Sequence, residues 1–147
     1  MSKRVLIMGL PGSGKTTLAK DLVSILEFYN LKIRYLNADI VREEYNDWDF
    51  SVEGRLRQST RMRKLADLGE DDFVIADFIA PLEEMRYNYN ADFTIWVDTI
   101  QQGRFSDTNR LFLPPITYDV RVDSQDSKQW AKLIIIQLFN KFGNNKS

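Results

Sequence analysis

Residues Gly9-Leu10-Pro11-Gly12-Ser13-Gly14-Lys15-Thr16 match the pattern G-x-x-x-x-G-K-[ST] in full. No other feature limits the possible folds of the chain as much. The pattern works only where a strand runs into a loop and the loop into a helix. Val5-Leu6-Ile7-Met8 supplies an apolar strand before it, and an amphipathic stretch from Lys15 onward supplies the helix. In that setting Gly12, Ser13 and Gly14 present backbone N–H groups to a polyphosphate, and the helix start adds a positive dipole end. Lys15 reaches the outer phosphates, the Thr16 hydroxyl can hold magnesium, and Thr17 extends the cradle. A glycine-rich turn that merely starts a helix needs neither lysine nor threonine at those offsets.

Apolar runs and amphipathic segments then alternate. Strands are expected at Val5–Met8, Ile33–Leu36, Phe73–Ala76, Phe93–Val97 and, at a sheet edge, Tyr118–Val122. Helical spacing runs through Leu18, Leu22, Ile25, Leu26 and Tyr29, through Leu56, Met62 and Ala66, and through Trp130, Leu133, Ile134 and Leu138. A short helix from about Pro81 to Asn88 joins the third and fourth strands. This alternation predicts an α/β fold, a parallel five-stranded sheet with helices on both faces, and the phosphate-loop motif makes it of the P-loop NTPase type. One domain over residues 1–147 is the natural count at this length, with a lid loop at about 103–115 and a frayed polar end from Asn144 to Ser147.

The composition removes several chemistries. The chain has no cysteine and no histidine. Thiol nucleophiles, disulfides, histidine-ligated zinc and histidine acid–base catalysis are therefore excluded. The net charge of −1 implies no bulk attraction to nucleic acid or membrane. The apolar part of the N-terminal segment is too short for a signal peptide, and a reducing cytoplasm is the expected location.

In an open parallel sheet, ligands bind beyond the carboxyl ends of the strands. Asp39 follows the second strand and Arg42 comes one helical turn later. They read as a carboxylate for an attacking hydroxyl beside a cation for an anionic substrate; the alternative is a helix cap with a first-turn arginine. Asp77 closes the third strand in a Walker-B arrangement that holds magnesium, or else is a solvated strand end. The segment from Arg55 to Lys64 packs five cations into ten residues. Arg55 and Arg61 are the ones expected to face the cleft. A groove for single-stranded nucleic acid is a minor alternative for that helix. In the segment from Gly103 to Pro115, Arg104 or Arg110 is expected to swing onto the phosphates or stack on a base. One of Tyr45, Trp48 and Phe50 reads as a stacking platform, with core packing the commoner fate of such rings.

Taken in order, these segments resemble the adenylylsulfate (APS) kinases. The resemblance runs from about Lys3 to Arg86, with a weaker echo through Asp98. Gly9 to Ala19 is similar to that family's opening. Asn37-Ala38-Asp39-Ile40-Val41-Arg42 resembles its Asp-Gly-Asp-Asn-Val-Arg segment. Phe50-Ser51 with Arg55 resembles its Gly-Phe-Ser segment and following arginine. Val74 to Pro81 resembles its strand leading into Ile-Ser-Pro, and Trp96-Val97-Asp98-Thr99 its fourth strand. The resemblance implies the nucleotide-kinase-like form of the P-loop NTPase fold and transfer of the ATP γ-phosphoryl group to the 3′-hydroxyl of adenylylsulfate. Lys15 and Asp39 would be catalytic, with Arg42, Phe50, Arg55, Gln58 and Ile79 on the substrate and Thr16 and Asp77 on magnesium. The partners implied are ATP and a small anionic, nucleotide-like acceptor; a homodimer is left open. The chain departs from the family's pattern in six respects. Asn37 replaces the first aspartate, Gln58 stands where the family has asparagine before an arginine pair and Thr60 where the first of those arginines stands, Asp77 stands where the family is usually small and neutral, Ala80 replaces serine, and a short segment replaces the longer lid. Kinases for another nucleotide, a nucleic-acid end or a small-molecule hydroxyl form the alternative class, with a non-catalytic nucleotide-binding module behind them. A GTPase switch lacks its Asn-Lys-x-Asp and Asp-x-x-Gly segments here.

Overall fold

The computed structural model describes residues 1–103 and 105–143. Arg104 and the expected frayed end, 144–147, lie outside them. The elements are β1 (Lys3–Met8), α1 (Lys15–Phe28), β2 (Ile33–Asn37), α2 (Ala38–Tyr45), α3 (Val52–Ala66) and β3 (Phe73–Asp77). They continue as α4 (Glu83–Tyr89), β4 (Phe93–Val97), α5 (Ser106–Leu111), β5 (Val120–Val122) and α6 (Ser127–Phe142). The five strands pair in parallel in the order β2-β3-β1-β4-β5.

Period-two alternation sends neighbouring residues to opposite faces. Val5 and Ile7 of β1, Phe73 and Ile75 of β3, and Phe93 and Ile95 of β4 pack under α1 and α6, against Leu18, Leu22, Leu26, Ile134 and Leu138. Leu6 and Met8 of β1 and Val74 and Ala76 of β3 face the other way, onto Val41 of α2, Met62 of α3 and Met85 and Tyr89 of α4. Each large apolar side chain buried this way contributes about 1.5–3 kcal/mol before ordering costs. Both faces are thus covered, as the unbroken apolar runs require. From β1 the chain crosses β3 to reach β2, and from β3 it crosses β1 to reach β4. The loops beyond the carboxyl ends of β1, β2 and β3 therefore share one crevice.

Two local features shape that crevice. Between α2 and α3 the chain turns back through residues 46–51, and the Ser51 hydroxyl caps α3 by accepting from the Gly54 amide at 3.1 Å. The turn is so tight that a Cβ on Gly54 would lie 2.2 Å from the Asp49 carbonyl oxygen. Gly54→Ala is accordingly expected to cost about 1–3 kcal/mol through overpacking, visible as a lower melting temperature. A variant that melts like the native protein would mean that the turn relaxes freely.

The segment expected to be a loop at 103–115 differs from that expectation, because it contains helix α5. Tertiary bonds hold it, which is why no periodic signal announces it. Asn109 exchanges two hydrogen bonds with the Gly103 backbone, at 2.7 and 3.1 Å. Thr108 is buried. The Leu113 amide donates to the Pro81 carbonyl at 2.8 Å. No helix among the described residues is long and apolar enough to cross a membrane.

Candidate active site

The loop after β1 wraps over the start of α1. Gly9 has φ +152°, and a Cβ there would lie 2.4 Å from the Val97 carbonyl oxygen, so only glycine lets β1 and β4 close beneath the loop. Lys15 is the first residue of α1 and is buried. Its Nζ donates to the Leu10 carbonyl at 3.0 Å. Burial pushes its pKa down from the usual lysine value, while Asp77 and then Asp39 pull it up. An ammonium held with little water is well placed to meet a phosphate. Ser13 is buried, and its hydroxyl has no hydrogen-bond partner among the described residues.

Asp77 ends β3 and is buried. The parallel register sets it beside Ile7 on one side and Asn37 on the other. Its Oδ2 accepts from the Thr16 hydroxyl at 2.9 Å, the Tyr35 hydroxyl at 2.7 Å and the Asn37 amide at 3.3 Å. Burial and the Asp77 charge push the Tyr35 phenol up to about 12, so it stays a donor at neutral pH. Magnesium takes oxygen ligands and often only one or two protein carboxylates beside substrate phosphates. Thr16 and Asp77 bring a hydroxyl and a carboxylate together at the phosphate loop, a donor set that fits this ion.

Asp39 lies in the first turn of α2, but it is not the cap. Asn37 is: its Oδ1 accepts from the Asp39 and Ile40 amides at 3.0 and 3.2 Å. The Asp39 carboxylate is exposed and has no hydrogen-bond or ion-pair partner among the described residues.

Arg42 and Arg55 converge on Phe50. Arg42 Nη1 donates to the Asp47 and Asp49 carbonyls at 2.9 and 3.2 Å, and its guanidinium lies 4.4 Å from the Phe50 ring centroid. Arg55 donates from Nε to the Phe50 carbonyl at 2.9 Å and from Nη2 to Thr108 Oγ1 at 3.0 Å, with its guanidinium 5.3 Å from the same ring. Both arginines are buried, and burial lowers both pKa values. Neither forms a salt bridge among the described residues. Trp48 is half exposed beside them, its ring 6.4 Å from that of Phe50.

A cleft of about 940 Å³ connects these groups. Gly12, Lys15, Thr16 and Asp77 line one part of it. Asp39, Arg42, Phe50, Arg55, Gln58 and Ile79 line the rest, with Phe105, Asp107 and Thr108 from the 103–115 segment. Gln58 lines it with an amide already engaged: Nε2 donates to the Ala38 carbonyl at 3.1 Å, and Oε1 accepts from Arg61 at 2.8 Å. A second cavity of about 240 Å³ lies on the other side of the phosphate loop, lined by Ser13, Gly14, Thr17, Thr99, Ser124 and Ser127 among others.

Three expected residues are placed differently. Arg61 does not face the cleft: it pairs with Asp47 at 2.9 Å and stacks on Tyr45, because the acidic turn at 47–49 attracts it. Tyr45 is thereby taken up as its platform. Arg110 is exposed and pairs with Asp107 at 2.5 Å, one helical turn away, outside both cavities. Arg104 lies outside the described residues. Sequence reasoning missed Tyr35, Asn37 as the bridge to Asp77, and Thr108. Only Asn37, an N-cap residue just before a carboxylate, carried a signal that could have been read.

The family model described as chromatin associated protein KTI12 matches residues 4–91, more than half of the chain. The chain belongs to the KTI12 family. The KTI12 match takes in the phosphate loop, Asp39, the α2–α3 turn and Asp77. Over 85 residues the chain is 34% identical to a probable adenylyl-sulfate kinase of Aeropyrum pernix, covering 56% of this chain and 46% of that protein. Over 86 residues it is 31% identical to cytidine diphosphoramidate kinase of Campylobacter jejuni, covering 57% and 50%. The chain thus spans about half the length of these relatives. The structure of the Mycobacterium tuberculosis APS kinase CysC in complex with AMPPNP and APS superposes with a TM-score of 0.76 and 22% identity, over 93% of this chain and 97% of that one. That likeness shows the fold, and it continues beyond the KTI12-matched part. The resemblance to APS kinases and the expected P-loop kinase fold are both borne out.

Proposed function

We propose that this protein is an ATP-dependent phosphotransferase that moves the γ-phosphoryl group to a hydroxyl of a small anionic, nucleotide-like acceptor, with the 3′-hydroxyl of adenylylsulfate as the leading choice. One observation carries the proposal. A single cleft joins the Lys15–Thr16–Asp77 end to two buried, carboxylate-free arginines flanking an aromatic ring, and Asp39 lines the same cleft. That layout serves two phosphorylated ligands, one at each end.

The roles follow from the groups. The loop amides and Lys15 hold the β- and γ-phosphates, and the cavity beside Thr17 and Thr99 takes the nucleoside of ATP. Magnesium held by Thr16 and Asp77 would neutralise charge on the phosphate oxygens. Arg42 and Arg55 bind the acceptor's anionic group and Phe50 its planar ring. Asp39 accepts the hydroxyl proton as the acceptor oxygen bonds to the γ-phosphorus and the bond to the leaving ADP oxygen breaks.

Charge-assisted hydrogen bonds to an anion contribute about 1.5–3 kcal/mol. Arg42→Ala or Arg55→Ala is therefore expected to weaken acceptor binding about tenfold to a hundredfold while sparing ATP. The test is a titration with adenylylsulfate beside adenosine monophosphate, each with a non-hydrolysable ATP analogue present. Adenylylsulfate should bind more tightly. Equal binding would exclude it as the acceptor. The similarity to a cytidine diphosphoramidate kinase favours, in that event, a different nucleotide acceptor on the same core.

A further inference from the structure

The side chain of Asn37 is used at both ends. Its Oδ1 accepts from the Asp39 and Ile40 amides and starts α2. Its Nδ2 donates to Asp77 Oδ2 at 3.3 Å and to the Tyr35 hydroxyl at 3.2 Å. The register pairs residues 37 and 77 directly across β2 and β3. One amide therefore links the buried carboxylate at the phosphate loop to the helix turn that carries Asp39.

Only an amide does this. Aspartate caps a helix as well as asparagine, but at position 37 it would set a second carboxylate against Asp77. Like charges at that distance cannot both ionise cheaply. Serine or threonine would cap α2 without an NH2 group for Asp77.

We propose that Asn37 is a positioning residue that joins Asp77 and the Asp39 turn into one hydrogen-bonded unit, and that this unit tolerates a single carboxylate. Its catalytic consequence rests on the phosphotransferase reading; the linkage itself does not.

The test compares Asn37→Asp, Asn37→Ala, Asp77→Asn and the double variant Asn37→Asp/Asp77→Asn with the native protein. If Asn37 were only a cap, Asn37→Asp would melt like the native protein and Asn37→Ala would be the weaker variant. The linkage predicts that Asn37→Asp melts at least about 4 °C lower at pH 8. The double variant should recover most of the loss, since it restores one carboxylate facing one amide. In turnover assays Asn37→Asp should lose at least about tenfold in kcat with KM for ATP changed less than about threefold, a split that a cap alone would not give. A native-like melt for Asn37→Asp at pH 8, or a double variant no better than the sum of its singles, would overturn the linkage. If the native protein itself transfers no phosphoryl group, the functional reading fails, while the melting comparison still decides the linkage.

Discussion

Lys15→Ala is expected to lower the phosphoryl-transfer rate by more than about tenfold, and by up to about a thousandfold, while the protein melts close to its native temperature without nucleotide. The rate effect follows from the position of the ammonium. A preorganised cation meeting charge that develops on a transferring phosphoryl group is worth about 2–4 kcal/mol. The stability effect follows from burial. Lys15 is buried, and its pKa is depressed chiefly by desolvation, so folding disfavours its charge and removing the charge forfeits little. The native protein should gain melting temperature with magnesium and ATP, and the variant should gain much less. Full activity in Lys15→Ala would remove the lysine from the mechanism.

Asp39→Asn carries the second large effect. With no histidine in the chain, the base for an attacking hydroxyl must come from another side chain. Asp39 is an exposed carboxylate on the cleft wall, with no hydrogen-bond or ion-pair partner among the described residues. General-base contributions are commonly about 10²–10⁴-fold, and kcat should fall within that range. ATP binding and melting temperature should stay close to native, because the cap of α2 is Asn37 and the Asp39 side chain holds nothing in place. A variant that keeps its turnover would show that the acceptor hydroxyl needs no base from α2. The comparison that settles the role is kcat against the Kd for a non-hydrolysable ATP analogue in the same two proteins.

The parts of the molecule legible in the sequence are those written by local rules. The phosphate loop has fixed offsets, and the strands are apolar runs too short for helices. Asp39, Asp77 and Arg42 could be placed at the ligand edge because parallel sheets put the following residues there. Arg55 reads as cleft-facing from its place in the basic helix, likeness to known segments singles out Phe50 among the three rings, and the cleft contains both. What stayed hidden was written by contacts between distant residues. Helix α5 forms because Thr108 meets Arg55, 53 positions away. Arg61 turns from the cleft because Asp47 reaches it from the preceding turn. Arg110 pairs with its own neighbour Asp107 instead of a phosphate. Tyr35 reads as one more residue of a strand until the register sets its hydroxyl 2.7 Å from Asp77.

The central claim, phosphoryl transfer from ATP to an acceptor held by Arg42, Phe50 and Arg55, is tested most directly with γ-labelled ATP. The purified protein is incubated with it, magnesium and a panel of adenylylsulfate, nucleotides, nucleosides and oligonucleotides. The account predicts label on a small anionic nucleotide, with adenylylsulfate labelled first at its 3′-hydroxyl, and loss of that label in Lys15→Ala. Retention of all label in ATP or inorganic phosphate with every acceptor would contradict it, as would label confined to oligonucleotide ends.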